Sequence, residues 1–461
     1  MSSEVAARAS LGVSLAFHIL FAAIGIGLPL MFCIAEGIGL RTRDVTWYTL
    51  ARRWSKATGI LFVVGAVSGT ALSFEFGLLW SRFMAFSSGI VGLMFTFERF
   101  CFFLEAIFLG LYLYGWDRLS PRAHWLTSLP VVITGALASQ FIVAVNAWMN
   151  TPAGFQLVNG KPVNIDPFAA MFNPAAPAQA LHMLVAAYQV TGFAVAAVYA
   201  AGMLRKRNDA YHRNGAMLGM ILATVMIIPQ AIVGSWIGEM LARQQPEKLA
   251  AMEGLFHTTA GAPLALFGWV DTAAQQVYFA INIPDMLSFL AFNHLKATVT
   301  GLDAFPQNTW PSQSLDPIAH LAFDTMATLG GLFLLVPLVF WFVYFRRHKT
   351  VPTARWLLWV LVVSGPLTFV ALECGWICAE LARQPWIIYN IMRVSDGVST
   401  TPGIGVFFFV FLAVYIALGV ATIALLRRLA REPKTFPEAV RQGVTVEQSS
   451  GSRDLGSATT S

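Results

Sequence analysis

Residues 13–38 read VSLAFHILFAAIGIGLPLMFCIAEGI, an apolar stretch long enough to cross the ~30 Å hydrocarbon core of a bilayer as one helix. Similar stretches recur along the 461-residue chain, of which 57% is hydrophobic and only 12% is charged. Ordinary soluble domains carry about 25% charged residues. A soluble protein of this length would have too few charges to cover its core. The chain is therefore predicted to cross a membrane several times.

An all-α fold with nine transmembrane helices is predicted, because a membrane barrel would show alternating segments of about 10 residues instead. The predicted spans are 13–38, 57–80, 89–115, 125–149, 180–204, 215–241, 319–345, 356–381 and 404–426. They divide the chain into helices 1–6 (1–241), an extracytoplasmic loop (242–318), helices 7–9 (319–431) and a disordered polar tail (432–461). The N-terminus lacks a basic region and a cleavage site, so the first span is predicted to be retained.

The basic residues predict the orientation of these spans, because Lys and Arg accumulate in cytoplasmic loops. With the N-terminus outside, 21 of the 30 Lys and Arg residues fall on the cytoplasmic side and 8 on the outer side, and Arg99 lies within a span. We therefore expect an outer N-terminus and a cytoplasmic C-terminus. This distribution also accounts for the net charge of +6, and no nucleic-acid partner is expected.

Four side chains that can bind haem iron are predicted to lie in the outer third of the bilayer. They are His18, His182, Met326 and Glu380, from four different spans. Each has an ordinary explanation when it is taken singly: an interfacial hydrogen bonder, a core methionine, or a carboxylate paired with Arg383. Together they indicate buried redox cofactors near the outer face, since a His/Met pair suits a low-spin electron-transfer haem.

Two carboxylates are predicted to form a proton route within the third span. Glu98 and Glu105 are seven residues apart, which places them almost one above the other on a helix. Ionisable groups inside a bilayer are costly and commonly functional. We expect Glu105, the deeper of the two, to pass protons from the cytoplasmic side toward Glu98.

Several strings resemble subunit I of the cytochrome bd-type quinol oxidases, in order along nearly the whole chain. The strongest is GWICAELARQPW at 375–386. The others are FEFG at 74–77, ERFCFFLEAIFLGLYLYGWDRLS at 98–120, NAWMNTP at 146–152 and LHMLVAAYQVTG at 181–192. The loop string EKLAAMEGLF at 247–256 matches the quinol-binding loop of the short-loop branch of this family.

This resemblance implies roles for the haem-site residues. His182 and Met326 would be the axial ligands of a low-spin haem b, and His18 and Glu380 would serve two high-spin haems. These high-spin haems are a second haem b and haem d. Which of the two haems His18 and Glu380 each bind stays open, and so does whether a haem b replaces haem d. Glu98 would lie at the oxygen site with Glu105 behind it. The residues assigned to cofactor binding without ligating iron are Trp376, Arg383 and Arg8, since arginine pairs well with propionates.

In the loop, Lys248 and Glu253 fall on the family's two quinol-site positions. A carboxylate within hydrogen-bond reach of a quinol hydroxyl can act as a base, and an ammonium can orient the head group. Ubiquinol and menaquinol are not distinguished. A solvated helix carrying a few charges is the ordinary alternative for these two residues.

The chain departs from the family pattern at three places. Glu98 and Glu105 are separated by seven residues rather than eight, and Ala382 replaces a glycine. Asp324 stands where the family usually has arginine, so a haem propionate or the quinol region is expected to lack a cationic partner.

The resemblance implies a bacterial inner-membrane oxidase that oxidises quinol at the outer face. It would reduce O2 with cytoplasmic protons, generating membrane potential without a pump. A second membrane subunit is expected, and a small single-span accessory subunit is considered. One alternative is a bd-like oxidoreductase with a donor other than quinol, which Lys248 and Glu253 argue against and Asp324 leaves open. The other is a secondary transporter, which usually shows inverted repeats that are not found here.

Overall fold

The computed structural model describes residues 3–312, 315–399 and 403–431. Within these ranges, nine helices have 27 residues or more. Numbered in chain order together with the shorter elements, they are α1 (Ser3–Thr42), α2 (Val45–Leu79), α3 (Ser81–Tyr114), α4 (Pro121–Asn150), α6 (Ala176–Leu204), α7 (Ala210–Gln244), α10 (Asp316–Arg346), α11 (Arg355–Leu381) and α13 (Ile404–Arg431). The predicted tail at 432–461 lies outside the described residues.

Eight of these helices are long and apolar enough to cross a membrane, counted over the described part of the chain. They correspond to eight of the predicted spans. The remaining helix, α3, contains Glu98, Arg99 and Glu105, and these charged residues lower its apolar character. The predicted span 89–115, the third in chain order, therefore stays a prediction, although α3 covers most of it. The orientation of the spans also stays a prediction.

Side-chain caps fix where three long helices begin on the side that carries most of the basic residues. Asp44 accepts a hydrogen bond from the Thr46 backbone N–H, and Asp209 accepts one from that of His212. Ser120 caps α4 in the same way through Ala123. Such caps satisfy N–H groups that have no partner within the helix, so the turns between spans are defined by the sequence itself.

The connections contain elements that the all-α prediction missed. In the described residues, ten strands form five antiparallel pairs: β1 (Gln156–Val158) with β2 (Lys161–Val163), β3 (Thr259–Ala260) with β8 (Thr298–Val299), β4 (Leu264–Leu266) with β7 (Ile281–Ile283), β5 (Trp269–Asp271) with β6 (Gln276–Tyr278), and β9 (Trp386–Ile388) with β10 (Met392–Arg393). Strands of two or three residues are too short to show an alternating pattern. The Asn159–Gly160 turn of the first hairpin, with positive φ at both residues, was the available signal.

Four short helices complete the connections: α5 (Pro167–Met171), α8 (Pro246–Glu253), α9 (Met286–Phe292) and α12 (Val394–Gly397). Two 3-10 turns lie at Leu302–Ala304 and Gln307–Thr309. Helix α8 directly follows α7 and packs against α10. This packing places the predicted quinol loop over the ends of the helices that carry the predicted haem ligands.

The long helices pack in pairs, α1 with α2, α3 with α4, α6 with α7 and α10 with α11, and α6 also packs against α11. Helix α13 lies against α1 and α2. Two large apolar clusters fill the interior. One, around Phe83 and Trp148, reaches up to α8, and the other, around Phe32 and Tyr199, lies toward the opposite ends of the helices.

Candidate functional site

A chain of hydrogen bonds joins the predicted quinol residue Lys248 to the predicted haem ligand Glu380. The Lys248 ammonium donates to Asn150 Oδ1 at 2.8 Å. The Asn150 amide donates to the backbone and side-chain oxygens of Asn146, at 2.9 and 3.2 Å. The Asn146 amide donates to Glu380 Oε1 at 2.6 Å. Two predicted sites thus form one polar network.

Glu380 lies one residue before the end of α11 and also pairs with Arg383. The ion pair between Glu380 and Arg383, considered above as the ordinary explanation for this carboxylate, is therefore present. It involves only one of the two carboxylate oxygens. The other oxygen accepts a hydrogen bond from Asn146, a residue for which no role was predicted from the sequence. The i, i+4 spacing of Asn146 and Asn150, which places both on one helix face, was the signal for their role.

Lys248 and Glu253 lie at the two ends of α8, and both are 4% exposed. Burial, together with the positive charge of Arg383, lowers the pKa of Lys248 to about 8. Burial raises the pKa of Glu253 to about 8, with a further contribution from the negative charge of Asp324. One oxygen of Glu253 is buried without a hydrogen-bond partner among the described residues. This geometry differs from the solvated helix considered as the alternative.

Asp324, which stands at the family's arginine position, fastens the loop to α10. Its Oδ2 accepts a hydrogen bond from the Phe267 backbone N–H at 2.6 Å and lies 3.4 Å from Nε2 of His320. His320 Nδ1 in turn lies 2.7 Å from the backbone oxygen of Met252. The aspartate therefore has structural partners of its own, which the sequence comparison with the family did not anticipate.

His182 and Met326 each face a glycine on a neighbouring helix. A Cβ atom added to Gly375 would lie 2.9 Å from Met326 Sδ, and one added to Gly234 would lie 3.8 Å from His182 Cε1. Gln230 Nε2 lies 3.2 Å from His182 Nε2. Because these glycines carry no side chain, the two predicted ligands can pack closely against the neighbouring helices.

His18 has a similar environment between α1 and α2. Its Nδ1 lies 2.9 Å from Ser68 Oγ, which orients the ring. A Cβ atom added to Gly69 would lie 3.2 Å from His18 Cε1. A histidine that binds a metal through one ring nitrogen usually has a hydrogen-bond partner at the other, and Ser68 is in the position of such a partner. The sequence did not predict this contact, because a serine in an apolar helix gives no signal by itself.

Glu98 and Glu105 both lie on α3, and they differ in their surroundings. Glu105 is buried against Gly135 of α4, where an added Cβ atom would come within 3.1 Å of its Oε1. Glu98 is half-buried. The structure places both carboxylates on one line along α3, as their spacing predicts.

The remaining predicted cofactor-binding residues are separate from one another. Trp376 is half-buried and packs against the cluster around Ile19 and Met183, whereas Arg383 is 4% exposed. Arg8 lies on α1, with its guanidinium 3.6 Å from Glu4. The structure therefore places Arg8 in an ion pair on its own helix.

The donor set fits haem with propionate side chains. Three buried N–H groups, those of Arg383 Nε, Trp386 Nε1 and Trp80 Nε1, have no hydrogen-bond partner among the described residues. Buried donors are almost always paired, so these three call for acceptors that the chain itself does not supply. Carboxylates of a bound cofactor are such acceptors.

The chain is similar to known proteins over most of its length. The family model for cytochrome bd terminal oxidase subunit I matches residues 6–434. A Bacillus subtilis (strain 168) protein with the provisional name cytochrome bd menaquinol oxidase subunit I is 38% identical over 92% of this chain and 96% of its own. Cytochrome bd ubiquinol oxidase subunit 1 of the same organism is 28% identical over 93% of each chain.

A solved structure is similar as well. The bd oxidase from Geobacillus thermodenitrificans shares 39% of its sequence and superposes with a TM-score of 0.87, covering 94% of this chain and 99% of that one. The similarity thus extends over the helices and the connections between them.

Proposed function

Because the chain belongs to the cytochrome bd terminal oxidase subunit I family, we propose that it is the haem-bearing subunit of an oxidase that oxidises quinol at the outer face of a bacterial cytoplasmic membrane. Membership supports the quinol oxidase activity and a multi-pass membrane location. The network from Lys248 through Asn150 and Asn146 to Glu380 carries the proposal, because it ties a candidate quinol site to a candidate haem site.

The loop at 242–318 is the quinol-binding region in this proposal. Glu253 takes a proton from one quinol hydroxyl, since its buried carboxylate has a free oxygen and a pKa raised to about 8 by burial. Lys248 orients the head group from the other end of α8. A general base works best when its pKa lies near the operating pH, which Glu253 satisfies.

The cofactors are held by the residues that sequence reasoning named. His182 and Met326 hold a low-spin haem b, and His18 and Glu380 hold the two high-spin haems. Arg383 and Trp376 lie beside the cofactors, and Arg8 is kept as a more distant contributor. When bound, the haems supply the electron transfer and the oxygen reduction that helices alone cannot perform.

Protons for oxygen reduction come from the cytoplasm through Glu105 and then Glu98. The orientation proposed from the basic residues places the quinol loop outside, so quinol protons leave there. Uptake from the opposite side then generates membrane potential without a separate pump. The buried position of Glu105 between α3 and α4 supports its role as an internal proton carrier.

A second membrane subunit completes the oxidase in this proposal, and a small single-span subunit is compatible with it. Helix α3 presents large apolar side chains outward, among them Phe100 at 60% and Phe103 at 63% exposure. This surface suits either a partner helix or lipid. The tail at 432–461 is proposed to be disordered on the cytoplasmic side.

A donor other than quinol is the alternative to this proposal. Asp324 left it open, and one oxygen of this carboxylate accepts a hydrogen bond from the Phe267 backbone, while Lys248 and Glu253, which argue against the alternative, are both buried. Absorption spectra of the purified, dithionite-reduced complex test the haem assignment. We expect bands of a low-spin and a high-spin haem, and a protein without haem bands would overturn the proposal.

A further inference from the structure

Three buried side chains form a cluster at the end of α3 opposite the quinol loop. His124 Nδ1 lies 2.7 Å from Glu36 Oε1, and the Tyr112 hydroxyl donates to Glu36 Oε2 at 2.6 Å. His124 Nε2 lies 2.8 Å from the backbone oxygen of Tyr112. Glu36, on α1, is 1% exposed and His124, on α4, is 2% exposed. Sequence reasoning assigned none of these three residues.

The geometry of this cluster requires a bound proton. The Tyr112 carbonyl oxygen can only accept, so Nε2 of His124 carries a hydrogen. In a neutral imidazole with its hydrogen on Nε2, Nδ1 is an acceptor. Its lone pair would then face an ionised Glu36 carboxylate, which is also an acceptor, with no hydrogen between them. The 2.7 Å contact therefore needs one more proton, held by either His124 or Glu36. A buried pair that shares an extra proton is a proton-holding site.

The cluster is in line with the carboxylates of the proposed proton route. Glu98, Glu105 and Tyr112 follow one another at seven-residue intervals on α3, so each is roughly 10 Å along the helix from the last and turned by only about 20°. Between the levels of Tyr112 and Glu105, α4 presents the fully buried hydroxyl side chain of Ser128. One ordered water or two can bridge such a gap where polar groups are available.

On the side of the aqueous phase, a single aromatic layer covers the cluster. The Trp116 ring packs on His124 with 4.1 Å between ring centroids. The Arg52 guanidinium lies over this indole, 5.8 Å from the ring centroid, and pairs with Asp117 at 3.8 Å. The charged pair Arg52 and Asp117 thus lies beside Trp116, and a movement of Trp116 would open the cluster to water.

We propose that Glu36, Tyr112 and His124 form a proton-loading site that reprotonates Glu105 during oxygen reduction. One proton leaves the Glu36–His124 pair for the Glu105 carboxylate and is replaced by one proton from the cytoplasm, with no other bond changed. The inference rests on the proposed function, because it assumes that Glu105 delivers protons to the oxygen site. A structural role alone would require the hydrogen bonds but no exchange of this proton.

The test uses the purified complex in lipid vesicles, with turnover at saturating quinol measured in H2O and in D2O. Glu36→Gln keeps the shape of the side chain and removes the shared proton. We expect unchanged haem content and reduced spectrum, turnover lowered about tenfold or more, and a larger solvent isotope effect. A haem-replete Glu36→Gln complex with wild-type turnover and isotope effect overturns the proposal.

Two further variants keep the test decisive. Tyr112→Phe retains the ring that stacks on Phe32 and removes only the hydroxyl, so it decides the matter if Glu36→Gln fails to assemble. It should also lower turnover and raise the isotope effect; wild-type values would overturn the proposal. The matched control is Asp209→Asn, which alters another carboxylate–histidine pair, 2.6 Å from His212, away from α3, and should leave turnover unchanged.

Parallel measurement of Glu105→Gln separates the two claims. If Glu105→Gln is slow and haem-replete Glu36→Gln is normal, the loading site is wrong and the proposed route stands. If Glu105→Gln turns over normally, the proposed route itself is wrong, and the loading site falls with it.

Discussion

Asn146 donates a hydrogen bond to Glu380 Oε1 across 2.6 Å, although 234 residues separate the two in sequence. This contact joins α4 to α11 and fixes one oxygen of a candidate haem ligand, while Arg383 fixes the other. A carboxylate held from two sides has a defined orientation, which a ligand of haem iron requires.

Removal of the Asn146 amide should disturb the high-spin haem that Glu380 serves. In Asn146→Ala, the carboxylate loses one of its partners, which costs about 1–3 kcal/mol for a buried acceptor. We expect altered high-spin bands in the reduced spectrum and unchanged low-spin bands. Asn164→Ala, at an exposed asparagine that donates a hydrogen bond to Gln156, is the control and should leave both sets unchanged. Unchanged high-spin bands in Asn146→Ala would argue against Glu380 as a ligand.

Replacement of Lys248 should impair quinol oxidation specifically. Lys248→Met removes the buried ammonium and leaves Asn150 without its donor. We expect kcat/KM for quinol to fall about tenfold or more, with haem content retained. Lys296→Met, at an exposed lysine paired with Asp285, should oxidise quinol at the wild-type rate. Equal rates for both variants would exclude Lys248 from the quinol site.

The pH dependence of quinol oxidation should be bell-shaped. Glu253 acts as a base only when ionised, and burial raises its pKa to about 8, so the rate should rise as the pH approaches 8. Lys248 has a pKa lowered to about 8, so its charge is lost and the rate should fall at higher pH. The negative charge of Asp324 contributes to the raised pKa of Glu253. The pKa of Lys248 is lowered by burial and by the charge of Arg383, and raised by the charges of the Cys378 thiol and Glu380.

Single variants assign the two limbs of this profile. Glu253→Gln should abolish the rise on the acid side, and Lys248→Met should abolish the fall on the alkaline side. The measurement is kcat/KM for quinol from pH 6 to 10, which reports the ionisations of the free enzyme. A wild-type acid limb in Glu253→Gln would show that another group is the base.

A methyl group added at Gly375 should displace Met326. The new Cβ atom would lie 2.9 Å from Met326 Sδ, closer than van der Waals contact allows, so the thioether must move. We expect Gly375→Ala to convert part of the low-spin haem to high-spin, seen as a loss of low-spin bands. Gly331→Ala, on the same helix as Met326 and with open space around the new atom, should keep the wild-type spectrum. A fully low-spin Gly375→Ala complex would argue against Met326 as a ligand.

The long helices could be predicted from the sequence because each contains an apolar stretch long enough to cross the hydrocarbon core of a membrane. Eight predicted spans match helices that satisfy this criterion in the described residues. The strands of the loops could not be predicted, since pairs such as Thr259–Ala260 with Thr298–Val299 depend on contacts between distant segments. Short strands take their stability from the surrounding fold.

The site was predicted unevenly for a similar reason. Residues such as Lys248 and Glu253 could be named because matching strings contain them, but their partner Asn150 is 98 residues away from Lys248. The Glu36–Tyr112–His124 cluster was missed because each residue is a single polar group in an apolar or terminal segment. The continued seven-residue spacing from Glu98 through Glu105 to Tyr112 was the available signal.

Oxygen uptake by the purified, haem-replete complex with a reduced quinol as the only electron donor tests the central claim most directly. The account predicts sustained oxygen consumption with ubiquinol or menaquinol, sharply reduced by Lys248→Met and unaffected by Lys296→Met. A haem-replete complex that consumes no oxygen with either quinol would contradict it.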